Sequence, residues 1–486
     1  MYYFDRSALV ELTQEKSQGR ELLGVLETKQ IFALVSASLA HLLPTDLVDS
    51  FYILSVSGRE ARETIAEDDP ANAQGLLAAR RSAPGAMIVS RENLERALTN
   101  LRQLEPGKIN MLDLGREYIQ QAEGLDHRTL GFMASSRYVL GPEVAQLERE
   151  ICDYTGAAHG VGCSSGTEAL ILGLRALALQ RTGREYFSPE DKILTTSFTF
   201  TATGDTILRS GATPVFLDID PVTFNLDVKE LRRYLEEQGS EGVVGIMPVH
   251  LYGGAADMEP ILALAREYNL FVVEDVAQGF GGKYGDQYLG TMGDIGTYSF
   301  FPTKNLGGMG DGGMVVTPHD ELNEILRMLI KHGGRDKYNV DHIGYNARLD
   351  TMQAAILLER LRWIKGYTEK RQALAAQYDR ALQHLPIQAP QSLPQASHCY
   401  HQYTMRVHEN RDALKDHLAA QGVSSMIYYP VPLHEMKVFI DTRGESFGKL
   451  PVTMKAVREV LSLPMEPLQR KDETARLVRA LGDFYA

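Results

Sequence analysis

Leu270-Phe271-Val272-Val273-Glu274-Asp275-Val276-Ala277-Gln278 opens on an unbroken apolar run and passes into two adjacent carboxylates. A run this short and this rich in valine reads as a strand buried on both faces. Runs of the same character stand at Lys192–Thr195, Thr213–Leu217, Val243–Val249, Thr297–Phe301 and Gly313–Thr317, each bounded by Gly, Pro or Asp. Helical periods lie between them at Glu168–Leu179, Val228–Glu237 and Met258–Tyr268. Strands alternating with helices predict an α/β domain built on a large, mostly parallel sheet. A long amphipathic helix is expected over Asp350–Lys365, and from about Thr368 the pattern is that of a smaller C-terminal α+β domain.

Upstream, Pro106-Gly107-Lys108 is a turn signal that separates this pattern from a different one. Residues before it are mostly helical in period, and the apolar stretch Ile31–Leu43 reads as a buried helix too short to span a bilayer. The predicted organisation is therefore an N-terminal accessory α/β domain at 1–105, a large domain at 109–366 and a small domain at 367–486.

Composition narrows the function classes. Hydrophobic residues at 44% and charged residues at 23% are those of a globular enzyme. A net charge of -13 argues against nucleic acid as a partner, because such binders need a positive field to displace counterions. It does not exclude a phosphate-bearing small substrate held by a few amides and cations. Cys152, Cys163 and Cys399 are a sparse, odd set that predicts reduced thiols and a cytoplasmic location. The start, Met1-Tyr-Tyr-Phe-Asp-Arg-Ser, lacks the basic-then-apolar order of a signal peptide.

Three segments carry chemistry. Ser164-Ser165-Gly166-Thr167 opens a helix with small residues, leaving the first backbone N–H groups free for an anion; an ordinary N-cap would use the same residues. Asp275 stands at a strand's carboxyl end, where open α/β sheets place ligands, and would stay ionised opposite a cation; a helix cap would look similar. In Tyr298-Ser299-Phe300-Phe301-Pro302-Thr303-Lys304-Asn305-Leu306-Gly307-Gly308, a lysine follows a buried strand and precedes glycines. Desolvation lowers an amine's pKa, and a neutral amine attacks a carbonyl. Taken alone, such a lysine would more often be a solvated surface charge.

In this order the segments resemble the DegT/StrS-type sugar aminotransferases, a branch of the fold-type I pyridoxal 5'-phosphate (PLP) enzymes. The resemblance runs from about Ile109 to Ala486. It also covers Leu140-Gly141-Pro142-Glu143, Ser197-Phe198-Thr199-Phe200-Thr201-Ala202-Thr203, Gly344-Tyr345-Asn346-Ala347-Arg348-Leu349-Asp350 and Tyr429-Pro430-Val431-Pro432-Leu433-His434. It implies that Lys304 carries PLP as an internal aldimine and shuttles the substrate proton. By the same resemblance Asp275 pairs with the pyridine nitrogen, Gln278 approaches the ring oxygen and Phe200 stacks on the ring. Gly166, Thr167 and Ser299 hold the phosphate, and Asn346 reaches it from the neighbouring subunit of a homodimer with shared sites. The implied reaction moves an amino group from a donor such as glutamate to a 3- or 4-keto sugar linked to a nucleotide, with Arg348–Gln353 leaning to the 3-keto branch.

Two positions depart from the family's pattern. Ala347 stands where serine is common, and Tyr428 replaces a frequent histidine beside the sugar-nucleotide region. Tyr428, Tyr429 and His434 are substrate-side candidates with an equally plain packing role, and His250 is at most site-shaping. Met1–Val10 and Gly85–Glu92 resemble the first and last strands of a PIN-type nuclease domain, in which Asp5 survives while His41, Asn72 and Glu92 stand at the other carboxylate positions. Losing carboxylates there removes an oxygen-ligand metal site, which implies a degenerate or unrelated accessory domain. Two other activities share the scaffold. A PLP-dependent sugar dehydratase would carry histidine in place of Lys304. A non-catalytic scaffold or regulator would have no need of Lys304, Asp275, Gln278 and Ser299 together.

Overall fold

Phe271–Asp275 is a strand in the interior of an eight-stranded sheet, buried at all of its positions. The computed structural model describes residues 108–336 and 338–486, with four short backbone segments at 2–4, 33–36, 51–54 and 87–89. The chain divides into two units, Met1–Lys108 with Asp113–Ala122, and Ile109–Leu112 with Glu123–Ala486.

Across the large sheet the strands run Glu445–Ser446, Thr213–Leu217, Lys192–Thr196, Val243–Met247, Phe271–Asp275, Ile295–Ser299, Gly313–Thr317 and His159–Cys163. Pairing is parallel as far as Ile295–Ser299 and antiparallel at the last two steps. The α/β class and the mostly parallel sheet are thus as the sequence predicts. The helix Gly166–Thr182 is buried continuously from Ala169 to Ala178, which explains why its sequence is apolar all round rather than on one stripe. It packs so closely on the sheet that a Cβ on Gly173 would stand 2.8 Å from Ile295.

Several elements differ from expectation. Val243–Val249 stops at Met247, since Pro248 has no N–H for the ladder, and Val249 makes only an isolated bridge to Asp275. The strand expected at Thr297–Phe301 lies at Ile295–Ser299. The single helix expected over Asp350–Lys365 is two, Thr351–Leu361 and Ile364–Leu382, parted by a tight turn in which Arg362 and Trp363 N–H groups bond to carbonyls three residues back.

C-terminal to these, Ile387–Gln388, Tyr403–Val407 and Val460–Leu463 form a three-stranded antiparallel sheet. The helices Arg411–Ala420 and Lys471–Tyr485 cover it, and Ile109 packs into the same core. The segment leading into Tyr403 is tied to the 3-10 turn Leu251–Gly253 of the large domain, with Cys399 N donating to Gly253 O at 3.0 Å and Gln402 N to Tyr252 O at 3.1 Å.

In the N-terminal unit a parallel sheet runs in the order Phe51–Leu54, Ala33–Ser36, Tyr2–Phe4, Met87–Val89. Ala33–Ser36 corrects the helix expected over Ile31–Leu43. Its Ala-Leu-Val core suits either state by periodicity, and pairing with Tyr2–Phe4 decides it. The turn at Pro106-Gly107 and the positions Asp5, His41, Asn72 and Glu92 lie outside the described residues.

Candidate active site

The candidate phosphate cradle forms where Cys163 leaves its strand and the chain turns into a helix. Ser165 caps that helix, its hydroxyl accepting from Glu168 N at 3.0 Å. The N–H groups of Gly166 and Thr167 have no partner within the helix. A Cβ on Gly166 would stand 2.5 Å from Ser299 Cβ and 2.9 Å from its Oγ, so glycine is what lets Ser299 reach the helix start. Gly313 is equally constrained, since a Cβ there would meet Ser165 O at 2.3 Å. Amides, hydroxyl and helix dipole thus converge on one place suited to a phosphate dianion.

Asp275 lies buried at the carboxyl end of its strand, with two strands between it and the cradle's own. Its Oδ2 accepts from Thr203 Oγ1 at 2.8 Å and its Oδ1 from Ala277 N at 3.1 Å. Burial pushes its carboxyl above the usual range, while those two bonds and the nearby Lys304 and His250 act the other way. Glu274, one residue back, projects from the opposite face of the strand. Its carboxylate accepts from the N–H groups of Gly290, Met292 and Gly293 at 2.7–2.8 Å and meets His250 Nε2 at 3.0 Å. His250 Nδ1 accepts from Ala256 N at 3.1 Å, so the ring proton sits on Nε2 and points to Glu274. That histidine is a structural tie beneath the site.

Lys304 sits in the loop after Ile295–Ser299, its N–H donating to Phe301 O at 2.8 Å. Burial lowers its amine from the ordinary lysine value to about 8, with the Asp275 charge partly opposing. An amine in that range is neutral often enough at physiological pH to attack a carbonyl. Its neighbour Asn305 is held by Cys399 O at 3.1 Å and lies 3.4 Å from His401 Nδ1. Burial and the nearby Lys304 keep His401 neutral, far below the usual imidazole range.

Gln278 is fixed at both ends of its amide: Oε1 accepts from Tyr252 N at 2.7 Å and Nε2 donates to Tyr429 Oη at 2.8 Å. One Nε2 proton remains for another acceptor. Phe200 caps the helix Thr201–Arg209 and is 56% exposed, its ring 6.1 Å from that of Tyr429. An aromatic left open beside a cleft is suited to cover a planar ring. His434 is pinned to Ser197, its N donating to Oγ at 3.1 Å while Nδ1 lies 2.6 Å from the same oxygen. Tyr428 accepts through its carbonyl from Tyr252 Oη. The exposed Asn346 is the outlier: its side chain accepts from Arg348, and its segment runs beside the cradle through a 3.0 Å bond from Ser164 N to Ala347 O.

Gly166, Thr167 and Ser299 therefore meet at one end of the site, and Asp275, Lys304, Gln278 and Phe200 surround the rest. Thr203, Asn305 and His401 escaped the sequence reading. Thr203 was within reach of it, standing three residues after Phe200 at the end of a segment that carries the resemblance. His401 comes from a distant segment with no periodic signal.

These residues fit PLP on their own chemistry. The cradle takes a phosphate, a buried carboxylate suits a protonated ring nitrogen, and an amine lowered to about 8 suits an aldehyde. Comparison with known proteins agrees. A "Pleiotropic regulatory protein" of Geobacillus stearothermophilus is 43% identical over 78% of this chain and 98% of its own. A UDP-N-acetyl-3-dehydro-α-D-glucosamine 3-aminotransferase of Acidithiobacillus ferrooxidans is 41% identical over 71% and 89%. The crystal structure of S. venezuelae DesV, in complex with a ketimine intermediate, superposes with a TM-score of 0.73 at 36% identity, covering 78% of this chain and 98% of that one. Residues 121–482 match the DegT/DnrJ/EryC1/StrS aminotransferase family, and the chain is a PLP-dependent member of that family.

Proposed function

We propose that the chain transfers an amino group from an amino acid, glutamate in the first instance, to the keto carbon of a nucleotide-linked sugar, with the 3-keto sugars favoured. The observation that carries this reading is Lys304, a half-buried lysine whose amine is lowered by desolvation to about 8 beside the buried carboxylate Asp275. The preference for the 3-position rests on the 3-dehydro sugar in the name of the A. ferrooxidans relative.

When bound, PLP supplies an aldehyde that takes up the amino group and a ring that withdraws electrons from the reacting carbon. Lys304 Nζ holds and returns the proton at that carbon, a task that requires an amine titrating near the working pH. Asp275 keeps the proton on the ring nitrogen. The free Nε2 proton of Gln278 faces the ring oxygen, and Phe200 covers one face of the ring against water. The amides of Gly166 and Thr167 and the hydroxyl of Ser299 anchor the phosphate. Tyr428, Tyr429 and His434 line the sugar side.

Asn346 serves the phosphate of a partner subunit in a homodimer. Its own side chain stands exposed, and Leu130, Met133, Tyr138, Val139, Leu140 and Ile343 form exposed apolar surface suited to a second copy. All three cysteines are free, in keeping with a cytoplasmic biosynthetic enzyme of amino sugars; among the described residues no helix is long and apolar enough to cross a membrane. We read 109–366 as the cofactor domain, 367–486 as the small domain and 1–105 as an accessory module of PIN-like derivation.

A regulatory reading is suggested by the name of the G. stearothermophilus relative. The complete set of Lys304, Asp275, Gln278 and Ser299 favours catalysis over it. The test is a panel of UDP- and dTDP-linked 3- and 4-keto sugars incubated with PLP and glutamate, read by product mass. An amino sugar from a 3-keto member is expected; no aminated product from any member would overturn the proposal.

A further inference from the structure

A row of three buried polar side chains ends at Asp275. Thr199, Thr203 and Asp275 are 2%, 0% and 4% exposed. Thr199 Oγ1 lies 3.1 Å from Thr203 Oγ1, and Thr203 Oγ1 donates to Asp275 Oδ2 at 2.8 Å. Each hydroxyl has one proton to give, and an ionised carboxylate has none. The Thr203 proton is therefore committed to Asp275, and Thr203 can only accept from Thr199. Both directions are fixed: Thr199 to Thr203 to Asp275. Bonds aligned in this way polarise one another in a low-dielectric interior and favour the charged carboxylate.

That support is needed because burial works against the charge, and among the described residues the only other hydrogen bond to the carboxylate comes from Ala277 N. Thr203 lies in the first turn of the helix Thr201–Arg209, directly after Phe200 at its N-cap. One turn of chain thus presents the aromatic that covers the ring and the hydroxyl that fixes the carboxylate.

We propose that Thr203, oriented by Thr199, is a positioning residue for the transamination, holding Asp275 as an ionised acceptor aimed at the cofactor's ring nitrogen. The inference rests on the cofactor assignment made above.

Thr203→Val keeps the side-chain shape and removes the donor. Affinity of the chain for PLP, titrated by absorbance, should fall about tenfold, and kcat should fall with KM for the sugar nearly unchanged. Thr203→Ser should return both to within about twofold, and Thr199→Val should move both the same way by about threefold. Wild-type affinity and kcat in Thr203→Val would overturn the proposal, as would a Thr203→Ser variant as impaired as Thr203→Val. If Thr203→Val does not fold, wild-type values in Thr199→Val would overturn it equally. Asp275→Asn in the same series keeps the two levels apart. Undiminished affinity and kcat there would strike the cofactor assignment itself, whereas an impaired Asp275→Asn beside an unimpaired Thr203→Val would overturn only the threonine row.

Discussion

Glu274 and Asp275 are neighbours on one strand, both buried, both within reach of His250 or Lys304, and they do opposite things. On one face Glu274 collects four partners, three backbone N–H groups and His250, which close the turn Gly290–Gly293 under the site. On the other face Asp275 has two hydrogen-bond donors and an open side toward Lys304. Burial and charge are common to both and do not separate structure from chemistry. Completeness does: the saturated carboxylate holds the fold, and the one with spare acceptor capacity awaits a ligand.

Substitutions at these positions break or sharpen that contrast, beginning with the largest effect. Lys304→Ala should lower amino transfer by at least about a thousandfold while leaving the fold intact, since it removes both the carbonyl-capturing amine and the proton carrier. Turnover within about tenfold of wild type would sink the assignment. Asp275→Asn should cost roughly a hundredfold in kcat with little change in unfolding midpoint. Glu274→Ala should reverse the pattern, destabilising the fold by about 3 kcal/mol in denaturant titration because it strips several buried N–H groups of their acceptor at once. Equal stability losses at the two carboxylates would erase the distinction.

A pH experiment sharpens the same pair. On the proposed assignment Lys304 captures PLP as the neutral amine, so the capture rate of the apoprotein should rise through a pH of about 8 and level off above it. The Asp275 charge raises the Lys304 pKa, so Asp275→Asn should move that midpoint to lower pH. A midpoint near the ordinary lysine value would contradict the desolvated amine. The smallest effect expected is at Asn346. Asn346→Ala should weaken PLP retention about tenfold if the residue reaches the phosphate of a partner subunit; an unchanged affinity, measured by dialysis and reloading, would remove the shared-site reading.

Much of this was legible in the chain. Continuous apolar runs such as Thr213–Leu217 and Gly313–Thr317 mark buried strands whatever their neighbours, and both stand where the pattern put them. Direction is not written in such runs, so the antiparallel pairing of Gly313–Thr317 was not foreseeable. His159–Cys163 escaped notice because its two glycines carry no strand propensity; they are there to make room, a Cβ on Gly160 meeting Met314 at 2.8 Å. At the site, Lys304, Asp275 and the Ser165–Thr167 turn are each ambiguous taken alone, and it is their order along the chain, with the family resemblance, that singles them out. Thr203 and His401 did not, because their roles exist only through partners brought in by the fold.

The central claim is that Lys304 and Asp275 form a transaminating site, and a single half-reaction tests it. Protein loaded with PLP, freed of excess cofactor and mixed with glutamate without any sugar, should release one 2-oxoglutarate per site, and the Lys304→Ala protein should release none at a comparable rate. No 2-oxoglutarate from the wild-type protein, with glutamate or any other amino acid donor yielding its keto acid, would contradict the account.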